Sequence, residues 1–288
     1  MLKTVYLTDN FKENAPCVML LGGFDGAHLG HRALISHAKA YGLPVGIMSI
    51  VGGKGREIFT IEERREIFKD VGVDFAFELP FDEIRSLSPE VFSGILTERF
   101  AVKAFLCGED FRYGYMASGT PETLKRDTRV RVETVELVKR QGEKVSASTI
   151  KTLLLEGEVE KANALLDSEF FLLGKVVKDR GVGRTIGFPT ANIAYPQEKL
   201  PLKQGVYETV AEVDGAFYQG VTNYGARPTF SNENVTTETY LDGFSGDLYG
   251  KTMKIKFKRF LRGIEKFASA EDLKAQLTED IRRVREND

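Results

Sequence analysis

The chain has 288 residues, longer than one hydrophobic core usually organises, so two domains are expected, each large enough for its own core. With 40 basic against 42 acidic residues and a net charge of -2, it lacks the basic footprint of a nucleic-acid binder, and its partners are expected to be small molecules. Cys17 and Cys107 fit neither a disulfide framework nor a metal-ligand spacing, "MLKTVYLTDN" lacks the apolar segment of a signal peptide, and no apolar run reaches membrane-spanning length; a cytoplasmic protein that binds no membrane is expected.

From Cys17 to about Ser148 short apolar runs alternate with helical patterns. "CVMLLGGF" reads as a buried strand, "HRALISHAKAY" as a helix and "PVGIMSI" as a strand. "TIEERREIFKDVG" reads as a helix opened by Thr60, with Glu63 at the capping-box position. "DFAFELPF" follows as a strand, "SPEVFSGILTERF" as a helix capped by Ser88, and "VKAFLCG" as another strand. This alternation predicts a parallel sheet with helices on both faces, and ligands bind such sheets at the carboxyl ends of the strands.

The pattern changes after Ser148. "STIKTLLLEGEVEKANALL" predicts two short helices around Gly157 that connect the domains. Beyond Phe170, "FFLLGKVV", "GVYETVAEVDGAFYQGVTNYG", "TETYLDGF" and "MKIKFKRFLR" are strand patterns separated by glycine turns, with Asp214-Gly215 as a hairpin signal. They predict a small β-barrel or sandwich, closed by a helix from about Ser269.

Chemistry concentrates at "GGFDGAHLGH", residues 22–31, which holds two of the three histidines. A strand ending near Phe24 and a helix starting near His28 set free backbone N–H groups and the positive end of a helix dipole beside the imidazoles. His28 and His31, at i and i+3, share a helix face and can meet one anionic ligand, while the glycines allow close approach. The alternative is that His28 caps the helix and His31 packs against the sheet. Zinc is disfavoured, because no third nearby ligand completes a tetrahedral set. In the second half, "DRGVGRTIGFPTAN" is a glycine-rich loop running into a polar corner, and it is not a Walker loop. In "TTETYLDGF", period-two alternation sets Glu238 on the face of Tyr240 and opposite Thr239; a glutamate directed into a barrel is costly unless it has a function.

"GGFDGAHLGH" resembles the G-x-F-D-G-x-H-x-G-H signature of the nucleotidyltransferase superfamily, in the form found in bacterial bifunctional riboflavin kinase/FAD synthetases. "FLCGEDFRYG" (105–114) and "EKVSASTIK" (143–151) resemble two further segments of that family's adenylyltransferase half. "GRTIGFPTANI" (183–193), "NYGARPTF" (223–230), "FSGDLYGK" (244–251) and "FLRGIEKFAS" (260–269) resemble its kinase module, in order and spacing.

The resemblance implies a Rossmann-like α/β nucleotidyltransferase domain with a parallel sheet over residues 1–166, followed by a small antiparallel β-barrel riboflavin kinase domain with a C-terminal helix over 167–288. Riboflavin and ATP would give FMN in the second, and FMN and ATP would give FAD in the first, with Mg2+ accompanying ATP. His28 and His31 would serve adenylyl transfer by positioning and charge stabilisation. Gly23, Phe24, Asp25, Gly26, Ser146, Ser148, Gly181, Gly183 and Arg184 would contact ATP and its phosphates, and Asp110 and Arg262 the flavin. Thr190 and Asn192 would hold the metal with oxygen donors, and Glu238 would be the base for the riboflavin 5'-hydroxyl.

The sequence departs from the family in three places. "SIVGGKGREIF" (49–59) stands where an F-x-P-H-P stretch is common, and reads as an exposed turn or an anion-binding loop; Ala147 replaces a serine, and Lys151 an arginine. These expectations compete with retention of one activity only, and with a non-catalytic flavin-binding regulator. A nucleotidyltransferase for pantetheine or nicotinamide substrates would explain the first half alone.

Overall fold

The computed structural model describes residues 2–53, 55–136, 138–140, 143–178, 188–226 and 235–286. They form two compact units, Met1–Thr149 with Leu165–Ser168, and Ile150–Ala164 with Glu169–Asp288.

The first unit runs β1 (Lys3–Tyr6), β2 (Glu13–Leu21), α1 (Leu29–Lys39), β3 (Val45–Val51), α2 (Ile61–Asp70), β4 (Phe75–Pro80), α3 (Phe81–Ile84), α4 (Pro89–Arg99), β5 (Phe100–Gly108), α5 (Pro121–Thr128) and β6 (Arg131–Val135). The sheet is parallel, in the order β1-β4-β3-β2-β5-β6. From β2 the chain moves outward through β3 to β4, then returns to lay β5 on the other side of β2. That reversal opens a crevice at the carboxyl ends of β2 and β5, where "GGFDGAHLGH" and "GEDFRYG" begin. Both faces of β2 are covered: Met19 and Leu21 on one, Val18 and Leu20 on the other, are all at most 1% exposed. Side chains buried this fully contribute about 1.5–3 kcal/mol each when large and apolar.

Local signals place these elements well. Thr60 Oγ1 accepts from the Glu63 N–H at 3.3 Å while Glu63 Oε2 accepts from the Thr60 N–H at 2.8 Å, completing the expected capping box of α2. Ser88 Oγ caps α4 by accepting from the Val91 N–H at 3.3 Å. The strand expected to reach Phe24 stops at Leu21, because the glycine pair and a positive φ of 45° at Phe24 turn the chain toward α1. Cys17 and Cys107 are core residues, their thiols pushed up to about 11 and about 12 chiefly by burial.

After the two-residue strands β7 (Lys139–Arg140) and β8 (Glu143–Lys144), the expected helix pair forms as α6 (Ala147–Glu156) and α7 (Val159–Asn163), separated at Gly157, whose φ is 83°. The second unit then adds β9 (Phe171–Lys175), β10 (Thr190–Ala194), β11 (Gly205–Val213), β12 (Ala216–Ala226), β13 (Val235–Leu241), β14 (Thr252–Arg262) and α8 (Ala270–Arg285). These strands form one antiparallel sheet, β10-β13-β12-β11-β14-β9, and a Val177–Asn192 bridge beyond β9 nearly closes it into a barrel rather than a sandwich. Asp214 and Gly215, with φ of 52° and 78°, make the two-residue turn between β11 and β12. The polar corner "PTAN" opens edge strand β10, which begins at Thr190.

Candidate functional site

At the carboxyl end of β2 the backbone shapes the corner before any ligand arrives. Gly26 has φ 106°, and a Cβ there would lie 2.5 Å from the Phe59 ring, so only glycine fits. His28 is the N-cap of α1, and its Nδ1 accepts from the His31 N–H at 3.3 Å. His31 Nδ1 donates to the Gly26 carbonyl at 2.8 Å. The two imidazoles stack with centroids 3.6 Å apart, and Phe24 packs on His31 at 4.3 Å. A Cβ on Gly30 would meet the His28 ring at 3.0 Å, so that glycine makes room for the stack. The capping alternative for His28 therefore holds, and it coexists with a ring edge that lines a cavity.

Burial, followed by the nearby Lys144 charge, lowers the His28 pKa to about 4. Burial and the neighbouring His28 take His31 well below its ordinary value. Both shifts favour the neutral form of the rings.

The cavity in front of them measures about 970 Å³, at the upper end of small-molecule sites. Gly22, Gly23, His28, His31, Lys144 and Ser146 give it polar walls, and Met48, Ile50, Phe81, Phe111, Tyr113 and Tyr115 give it apolar and aromatic ones. Such a surface suits a ligand with both a phosphate chain and flat rings.

The expected phosphate contacts separate on inspection. Gly23 lines the cavity, whereas Phe24, Asp25 and Gly26 do not; they build the turn. Asp25 Oδ1 accepts from the Ile58 N–H at 2.8 Å, tying the corner to the segment after β3. Ser146 lines the cavity and its Oγ accepts from the Thr149 N–H at 3.3 Å at the start of α6; Ser148 lies in the first turn without lining it. Asp110 lines the cavity and is ion-paired with Lys144. Lys144 was not singled out from the sequence, though it opens the "KVSAS" string that ends at Ser148.

The unusual segment 49–59 has an exposed tip at Gly52, Gly55 and Arg56, and a pinned stem. Glu57 Oε1 accepts from the Gly52 N–H at 3.2 Å, and Oε2 accepts from Arg64 Nη2 at 2.7 Å. Arg64 is fully buried, and its Nη1 donates to the Ile50 carbonyl at 2.7 Å. Lys54 lies outside the described residues.

In the second unit, register assembles the site. Glu238 on β13 stands directly opposite Asn192 on β10 and Asn223 on β12, and Tyr240 stands opposite Thr190. Directly opposed residues share a face, so Thr190, Asn192, Asn223 and Glu238 meet on one side of the sheet. Thr237 and Thr239 take the other side and are fully buried; the Thr239, Thr222 and Thr209 hydroxyls form a chain at 2.9 and 2.8 Å. This corrects one expectation: Glu238 does not point into the packed barrel interior, which threonines occupy, but lies half-buried on the opposite face. Next to it Val206 and Val221 pack on Ile281 and Val284 of α8.

Asn192 is 6% exposed and its Oδ1 has no hydrogen-bond partner among the described residues. A buried amide oxygen left in that state costs about 1–3 kcal/mol unless something else meets it. An oxygen-seeking cation held with Thr190 is such a partner. Asn223 was missed from the sequence, although it opens the quoted "NYGARPTF". Arg262 is placed differently from the flavin contact expected of it: Nε and Nη2 donate to Asp280 of α8 at 3.2 and 2.8 Å, and Nη1 donates to the Gly263 carbonyl. Gly181, Gly183 and Arg184 lie outside the described residues.

Comparison with known proteins follows the same two-part division. The FAD synthetase family matches residues 10–149 and the riboflavin kinase family residues 166–287. A bifunctional riboflavin kinase/FMN adenylyltransferase of Bacillus subtilis is 34% identical over 97% of this chain and 96% of its own. One from Escherichia coli is 31% identical over 94% and 92%. A solved structure described as a macrolide-efflux protein from Streptococcus pneumoniae superposes with a TM-score of 0.88 at 27% identity, covering 98% of each chain.

Proposed function

The chain belongs to the bifunctional riboflavin kinase/FMN adenylyltransferase family, and on that premise we propose how its residues divide the work: Glu238 with Thr190 and Asn192 for the kinase, His28 and His31 with Ser146 and Lys144 for adenylyl transfer. The domain division is taken at 166/167. The substrates and products are riboflavin, FMN, ATP and FAD. We place the protein in the cytoplasm; no helix among the described residues is long and apolar enough to cross a membrane.

In the kinase unit the supporting observation is the strand register. Glu238 shares a sheet face with the polar pair of β10, so one substrate can meet the carboxylate and the nucleotide together. The carboxylate orients the riboflavin 5'-hydroxyl and accepts its proton as the oxygen attacks the γ-phosphorus of ATP, whose bond to the bridging oxygen breaks to release ADP. Thr190 and Asn192 fit Mg2+, whose binding there would offset the charge of the ATP phosphates; the Asn192 Oδ1, without a hydrogen-bond partner among the described residues, supports that assignment.

In the adenylyl unit a phosphate oxygen of FMN attacks the α-phosphorus of ATP and pyrophosphate leaves. No enzyme nucleophile is needed, so the contribution of the protein is placement and charge stabilisation. The N-terminus of α1, His28 and the Lys144 ammonium are arranged for the phosphate chain, and the aromatic wall accepts flat rings. Incubation of the purified protein with riboflavin, ATP and magnesium, followed by separation of FMN from FAD, tests both activities. Formation of neither product from riboflavin, nor of FAD from added FMN, would refute the reading.

A further inference from the structure

The hydrogens on the two pocket histidines are fixed by backbone groups. The Gly26 carbonyl can only accept, so His31 Nδ1 carries the hydrogen and, in the neutral ring, Nε2 holds a bare lone pair. His28 shows the reverse. Its Nδ1 accepts from the His31 N–H, so the neutral ring carries its hydrogen on Nε2. The pair therefore offers one donor and one lone pair, and a lone pair set against a phosphate oxygen is two acceptors facing each other.

Geometry also selects which ring can change. A proton added to His28 would go to Nδ1, the atom that caps α1, and the bond to the His31 N–H would be lost. A proton added to His31 would go to Nε2 and leave the Nδ1–H bond to Gly26 in place. Without ligand that proton is disfavoured: the His28 ring stacks at 3.6 Å, the Phe24 ring packs at 4.3 Å, and burial adds to both. Of the charged groups lining the cavity, Arg85, Arg112 and Lys144 oppose a further positive charge, Asp110 is engaged with Lys144, and Glu136 favours it. Arg32, the next residue on α1, is tied to Asp167.

We propose that His31 serves adenylyl transfer as an imidazolium formed when nucleotide binds: the arriving polyphosphate draws a proton from solvent onto Nε2, turning the lone pair into a second donor. The new N–H bond is made with a solvent proton, and the proton returns to solvent when pyrophosphate and FAD leave. Nucleotide affinity at this corner then falls as pH rises from the free-state pKa of His31 toward that of the complex, by about tenfold per pH unit for a single linked proton. The inference rests on the reading of this corner as the adenylyl site.

Three histidines make the test direct. Long-range 1H–15N spectra of the 15N-labelled full chain give three imidazole patterns, assigned by single substitution. His37, paired with Glu133 at 2.9 Å, is an internal reference. Near pH 7.5 the ligand-free spectrum is expected to show His31 protonated on Nδ1 and His28 on Nε2. Saturation with α,β-methylene-ATP should convert His31 to the doubly protonated form and leave His37 unchanged. Proton uptake measured by calorimetry in buffers of different ionisation enthalpy should fall in His31→Gln, whose amide donates without titrating; nucleotide bound in the kinase unit contributes equally to both proteins. A His31 that shifts on binding yet stays neutral overturns the proposal alone. Failure of both His28 and His31 signals to move overturns it together with the adenylyl-site reading.

Discussion

Glu238 and Asn192 face each other across the β13–β10 pair, the carboxylate half-buried and the amide oxygen buried without a partner among the described residues. Their opposition joins the proposed base to the proposed metal corner through a register, not through a loop. Glu238→Gln is accordingly expected to abolish FMN formation from riboflavin, by about 10²- to 10⁴-fold for a lost general base. Conversion of supplied FMN to FAD, assayed by chromatography on the same preparation, should stay near the parent rate. Parallel loss of both activities in a folded protein would contradict the assignment.

His28 caps α1 and is proposed to serve adenylyl transfer as well, and a substitution can separate the two. Asparagine is among the best N-caps, so His28→Asn should keep the melting temperature within a few degrees while removing the Nε2 donor. FAD synthesis is expected to fall roughly 10²- to 10³-fold, as for a charge-stabilising donor elsewhere, with kinase activity retained. His28→Ala should lose stability as well, by about 1 kcal/mol. FAD formation at the parent rate in His28→Asn would leave the imidazole a structural cap only.

For Arg262 the expected effect is on stability rather than on flavin affinity. Arg262→Met leaves Asp280, fully buried, with only the Gln276 amide at 2.9 Å among its described partners, and losing one member of such a pair typically costs about 3–5 kcal/mol. Denaturant unfolding of the second unit should shift to lower concentration, with the KM for riboflavin unchanged in protein that remains folded. A raised KM at unchanged stability would return Arg262 to the flavin site.

Ala147 lines the proposed adenylyl cavity beside Ser146, at a place where the family pattern has a serine. FMN is expected to accumulate before FAD when riboflavin meets excess ATP and magnesium. Ala147→Ser with Lys151→Arg should shorten that lag several-fold, since each charge-assisted contact is worth about 1 kcal/mol or more. A time course without FMN build-up, or a slower double variant, would show that the departures are compensated elsewhere.

Sequence legibility followed the range over which each interaction acts. The capping box at Thr60, the turn at Asp214-Gly215 and the apolar runs of β2 to β5 depend on residues a few positions apart, and their patterns predicted them. The histidine corner was legible because glycines, strand end and helix start are contiguous. Phe24, Asp25 and Gly26 were placed in the right corner, but their work in shaping the turn depends on Phe59 and Ile58, which only folding brings near. The Glu57–Arg64 pair and the Arg262–Asp280 pair are buried ions whose partners belong to different elements, and no periodicity announces them. β1, β6 and the strand start at Thr190 are short or lie at a sheet edge, where alternation is weakest.

The threonine hydroxyls inside the barrel bear on how the kinase face is proofread during folding. Thr239 sits between Glu238 and Tyr240 in sequence and on the opposite side of the sheet, bonded to Thr222 and through it to Thr209. If β13 paired one residue out of step, the whole strand would turn over: the carboxylate of Glu238 would enter a dry interior without a cation, and the hydroxyl chain would be broken. A one-residue slip thus carries a buried charge as well as lost bonds, so the alignment that assembles the proposed catalytic row is favoured by the interior over its nearest neighbours.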